Sequence, residues 1–113
     1  MAKDDYHVIV YQILAYLYVQ LKAGEPINPE LLMPDSKYIK INERYWLYIM
    51  ENLYISGLIS GITITKTFGN EKIIDNLDAC EITPAGIEYL CDNTFISKAK
   101  GFLKDIKAIV PFI

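Results

Sequence analysis

One histidine, one arginine and two cysteines are all that 113 residues supply of the side chains that most often do chemistry. With His7 alone, no Ser/His/Asp or Cys/His relay can be assembled, and the acids are scattered rather than paired, so no enzymatic activity is expected. Cys80 and Cys91 stand eleven positions apart, a spacing and a ligand count that fit no zinc site. No metal or other cofactor is expected, and both thiols read as reduced, buried core residues. Glycine is scarce too: Gly57, Gly61 and Gly69 fall at a helix end and at strand turns, which excludes a glycine-rich phosphate loop. The start MAKDDYH lacks a basic leader followed by an apolar centre, so the chain is expected to be cytoplasmic. The apolar run at residues 6–21, YHVIVYQILAYLYVQL, falls short of the ~20 residues that a membrane span needs and carries polar groups throughout, so no span is expected.

Positive charge is also short. The formal net charge is −3 and the pI is near 5.0, so no overall field draws the chain to nucleic acid, and only a local patch can do so. What is abundant is apolar surface, at 52% of residues with nine tyrosines. A domain of this size does not easily bury that much by itself, and a homodimer or a contact with another protein is expected.

The most informative stretch is residues 42–60, NERYWLYIMENLYISGLIS. Asn42 is an N-cap residue whose side chain can accept from a free N–H of the first turn, and Glu43 suits the positive end of the helix dipole. Tyr45, Ile49 and Leu53, with Trp46 and Met50 on the adjacent row, draw a wide apolar helical face. Gly57 ends the helix, and from Ser60 to Thr67 the period changes to two, which predicts a strand. Upstream, Asp5 caps a first helix that runs to about Ala23, with Gly24 as terminator. That helix is apolar nearly all round, so one face should pack into the domain and the other should meet a partner through Tyr11, Leu14 and Tyr18. Asn28 and Pro29 open a short helix near Glu30, Pro34 ends it, and residues 38–41 read either as an edge strand or as an extended connector.

Downstream, Phe68, Gly69 and Asn70 mark a reversal. A returning strand is expected between Lys72 and Ile82, most plausibly within residues 79–83. Thr83 with Pro84 then starts a helix through Ile87 and Leu90. A last helix from about Thr94 aligns Phe102 and Ile106 on an apolar stripe, a second candidate dimer face, and Lys100, Lys104 and Lys107 on another. That lysine stripe reads either as a solvated face or as an anionic-membrane contact. The fold class predicted is α+β, mainly helical: a single winged helix-turn-helix domain over residues 1–113, with a two- or three-stranded antiparallel wing sheet and an additional C-terminal helix.

Three segments, GLISG at residues 57–61, EITPAGIEYL at 81–90 and FLKDIKAIVPFI at 102–113, together resemble the YjcQ-like family, small winged-helix proteins of Gram-positive bacteria and their prophages. The resemblance implies a winged helix-turn-helix and carries no functional residues with it.

Two functions compete. The first is a DNA-binding, phage-related transcriptional regulator, with Asn42, Glu43, Arg44 and Leu47 at the start of the recognition helix reaching base edges in double-stranded DNA, and Lys37, Lys40, Lys66 and Lys72 holding phosphates. Arg44 suits guanine recognition by a bidentate contact. The second is a protein-interaction or assembly module that leaves DNA alone. It draws support from the charge count, because the helix sets Glu43 and Glu51 against Arg44, and the wing sets Glu71, Asp75 and Asp78 against Lys66 and Lys72. Each segment therefore nets −1. A helix whose exposed face includes Trp46 or Tyr48 also suits a protein contact.

Overall fold

A computed structural model describes residues 2–36 and 39–91 of the chain; Lys37, the predicted last helix with its lysine stripe, Phe102 and Ile106 all lie outside the described residues. Helix α1 spans Ala2–Ala23, three residues ahead of the cap expected at Asp5. It ends at Gly24, whose φ of +72° is the left-handed geometry that closes a helix, with Glu25 N–H donating to the Gln20 carbonyl at 3.0 Å.

Every residue from 8 to 17 is buried, so α1 is the central rod of the domain. Helix α2 (Glu43–Ile55), strand β4 (Glu81–Ile82) and helix α3 (Pro84–Leu90) pack against it. This answers why α1 is apolar all round, since a helix covered on several sides needs no polar face. It also corrects the expected partner face. Leu14, at 0% exposure, has no surface to offer a second copy, and Tyr11 has almost none, while Tyr18 is half-buried.

The short helix after Asn28 is a single 3-10 turn, Pro29–Leu32, with the Asn28 side chain accepting from Glu30 N–H at 3.1 Å. Residues 39–41 form no ladder and act as an extended connector. The connector is pinned where the Ser36 hydroxyl accepts from Ile39 N–H at 2.9 Å and the Ile39 side chain is wholly buried. Helix α2 is capped as expected, with Asn42 Oδ1 accepting from Tyr45 N–H at 2.8 Å. Its inward face is Trp46, Ile49, Met50 and Leu53. The Trp46 indole N–H donates to the buried carbonyl of Leu32 at 2.6 Å, which ties α2 to the 3-10 turn. Of the two aromatics considered for the outer face, Trp46 is therefore core and Tyr48 is exposed.

The expected single strand over residues 60–67 is two. Strand β1 (Ile59–Ser60) pairs antiparallel with β4, and strand β2 (Thr63–Lys66) pairs antiparallel with β3 (Lys72–Asp75). Gly61 makes the break: its φ is +94°, and the Ala79 carbonyl lies so close that a Cβ there would stand 1.9 Å from the oxygen. The predicted return at residues 79–83 thus takes in β4, whereas the strand that turns back on β2 comes earlier, at Lys72–Asp75. Residues Leu77–Ala79 form a 3-10 turn between them.

Helix α3 begins at Thr83, whose hydroxyl donates to the Gly57 carbonyl at 2.5 Å and accepts from Gly86 N–H at 3.1 Å. A side chain at Gly86 would meet the Leu58 carbonyl at 2.3 Å, so glycine permits the close docking of α3 on the chain after α2. The architecture is α+β and mainly helical, with two separate two-stranded antiparallel ladders among the described residues instead of one wing sheet. Among those residues no helix is long and apolar enough to cross a membrane.

Candidate functional site

The β2–β3 hairpin lies beside α2 and is tied to it at Glu51. Its register pairs Ile64 with Ile74 and Lys66 with Lys72, and these four share one face of the ladder because side chains alternate along a strand. Ile64 and Ile74 pack against the core, which fixes the hairpin on the domain. Two lysines directly opposite one another repel. Glu51 on α2 offsets this, its two oxygens accepting from Lys72 Nζ at 2.5 and 2.7 Å. The tip is closed by Thr67 N–H donating to the Glu71 carbonyl at 2.7 Å, with Gly69 at φ +83° and the Phe68 side chain wholly in solvent.

Between helix and hairpin runs an open groove of about 740 Å³. Glu43, Arg44, Leu47, Tyr48 and Glu51 form the helical wall, and Gly69, Glu71 and Lys72 form the other. Tyr48 is 58% exposed, yet its ring is held edge-on against Tyr6 of α1 at a centroid distance of 6.4 Å. Burial, and then Tyr48 itself, push the Tyr6 hydroxyl above its ordinary pKa, so this ring pair stays neutral at physiological pH on the Tyr6 side. Among the described residues, three carboxylates face two cations in the groove, and one of those cations, Lys72, is committed to Glu51.

The groove brings together Glu43, Arg44, Leu47 and Lys72 from the predicted contact residues. Arg44 is exposed, whereas Leu47 is half-buried and packed on the core. Lys40 and Lys66 are exposed but do not line the groove, and the Asn42 side-chain oxygen, Oδ1, is committed to the helix cap. The groove residues that the sequence did not single out as contacts are Glu51, Gly69 and Glu71. No local pattern announces the Glu51–Lys72 pair, since its members lie 21 positions apart.

A smaller cleft of about 140 Å³ lies where the end of α1 meets β4, partly walled by Cys80. Burial, then Glu81, pushes that thiol up to about 12, so it is protonated and inert at neutral pH. Cys91, expected to be buried, is exposed at the end of α3. Among the described residues no group of three or more His, Cys, Asp or Glu is placed to hold a metal ion.

With this geometry in place, comparison with known proteins adds one decisive match. A family model described as YjcQ protein covers residues 11–109. The chain belongs to the YjcQ family. The YjcQ match takes in α2, the hairpin and the whole groove between them. No curated protein and no solved structure matches the chain.

Proposed function

We propose that this YjcQ family member is a protein-recognition module on a winged-helix scaffold, and that the groove between α2 and the hairpin is its contact surface. The order of elements supports the scaffold: a 3-10 turn, a capped helix and then an antiparallel hairpin, with α1 and α3 behind. The observation that carries the function is the charge of the groove. A groove-binding protein draws most of its affinity for DNA from lysines and arginines that neutralise phosphates. Here the carboxylates outnumber the cations, and Lys72 is already neutralised by Glu51. An aromatic ring held in place beside half-buried Leu47 is the composition of a protein interface core. In this reading the chain binds and does not catalyse.

A DNA-binding regulator is the second reading, favoured by one specific observation: Lys40, Arg44 and Lys66 are all exposed around the start of α2 and the hairpin. The deciding experiment is binding to random-sequence duplex DNA by fluorescence anisotropy over a salt series, with Arg44→Ala and Lys66→Ala/Lys72→Ala beside the parent. The protein-recognition reading expects no binding even at low salt. Micromolar affinity that falls steeply with salt and weakens in both variants overturns it and establishes the DNA reading.

A further inference from the structure

Resting on the protein-recognition reading, we propose that the α2–hairpin groove takes an extended segment of a protein partner that carries a lysine or arginine beside apolar side chains. The two walls are held in place before any partner arrives. The Glu51–Lys72 ion pair joins helix to hairpin across the groove, and Tyr6 holds the ring of Tyr48 at 6.4 Å. A site whose walls are already ordered loses less entropy on binding. Its capacity, about 740 Å³, suits a few side chains of a single strand.

The charge pattern selects the kind of segment. Because Glu51 is satisfied by Lys72, the carboxylates left to attract a ligand are Glu43 on the helix and Glu71 on the hairpin, one on each wall and both exposed. Among the described residues that line the groove, Arg44 is the one remaining cation, which leaves an excess of one negative charge there. A cationic side chain entering between the walls meets a carboxylate from either side, and the exposed face of Tyr48 adds a cation–π surface at the same wall. Apolar neighbours on the segment have Leu47 below them and Phe68 next to Gly69 at the hairpin tip. Phe68 is held out by the closed turn and exposed to its full extent, the disposition of an anchor that a partner covers. An acidic or polyanionic ligand meets the opposite situation, with repulsion on both walls.

The test is an NMR titration of the full chain, ¹⁵N-labelled, with three twelve-residue peptides that share leucines at the same positions and carry lysine, serine or glutamate at the others. The lysine peptide is expected to shift the amides of residues 43–51 and 69–72, and to bind about fivefold more weakly to Glu43→Gln/Glu71→Gln, in line with loss of two exposed ion pairs. Both positions are exposed, so circular dichroism is expected to show an unchanged fold. If the serine or glutamate peptide moves the same amides at equal or lower concentration, the charge assignment is overturned while the protein-recognition reading stands. Indifference of the lysine peptide to the double substitution also overturns it. If no peptide moves these amides and duplex DNA does, both readings fall together.

Discussion

Replacing Trp46 by alanine tests the packing on which the groove's helical wall depends. The indole is 4% exposed, and its N–H donates to the Leu32 carbonyl at 2.6 Å. Truncation removes the ring's buried area, leaves a cavity between α2 and the 3-10 turn, and strips a buried carbonyl of its donor. Large aromatic truncations in a core cost ~3–5 kcal/mol, and an unsatisfied buried carbonyl accounts for ~1–3 kcal/mol of such a loss. Domains of this size have a total stability of only ~5–15 kcal/mol, so Trp46→Ala should take away a large part of it. With a urea dependence of roughly 1–3 kcal/mol per molar, the midpoint should fall by about 1–5 M. Trp46→Phe separates the two effects, since it keeps a ring and loses only the N–H and some volume, and should cost ~1–3 kcal/mol. As the chain has one tryptophan, the melts must be followed by far-ultraviolet circular dichroism and not by indole fluorescence. A loss below about 1 kcal/mol for Trp46→Ala refutes the packing, because it places the ring outside the core.

Gly61→Ala combines left-handed backbone with a steric clash, since φ is +94° and the new Cβ stands 1.9 Å from the Ala79 oxygen. Thermal melts should show a loss of ~2 kcal/mol or more, against ~1 kcal/mol for Gly24→Ala, where φ is +72° and the space is open. With a thiol reagent such as Ellman's at neutral pH, the native protein should show one accessible thiol, Cys91, while Cys80 reacts only on unfolding. The same burial gives a pH dependence whose sign follows from linkage. The Cys80 pKa is raised from 9.0 to about 12 in the folded chain, so its stabilisation is complete below pH 9 and lost as the pH climbs towards 12. Tyr6 and Tyr11 are raised as well, both chiefly by burial, and act in the same direction. Alkaline denaturation melts that show stability rising above pH 9 would contradict all three.

The elements that local chemistry specifies were legible in the sequence. Asn42 and Thr83 act through side chains that accept from N–H groups three residues on, and Gly24 and Gly57 act through their own backbone, so both ends of α2 and the start of α3 could be read directly. What failed to show depends on distant partners. The strand broken at Gly61 answers to the carbonyl of Ala79, eighteen positions on, and the alternation of residues 60–67 carries no trace of it. The all-round hydrophobicity of α1 had two explanations, a partner or a central position, and only the packing of α2, α3 and β4 chooses between them. Cys91 reads as apolar by type, but it falls at the helix end where the chain leaves the core.

The groove shows why the choice of function turned on a pair rather than on a count. By composition, α2 carries an excess of one negative charge while the hairpin balances Lys66 and Lys72 against Glu71 and Asp75, and that alone leaves open which charges are free. The ion pair between Glu51 and Lys72 removes one of each sign, and with it a lysine expected to hold a phosphate. Their side chains are 25% and 36% exposed, so the bond itself adds little stability, ~1 kcal/mol at most after solvent screening. Its consequence is geometric. It ties the hairpin to α2 across the groove, and Glu43 and Glu71 line the opening with no ion pair of their own among the described residues. A surface built for DNA needs its lysines available to phosphates, and here one of them is paired with a carboxylate across the groove. A surface that receives a cationic segment gains from the same arrangement a wall held in place and a net negative lining.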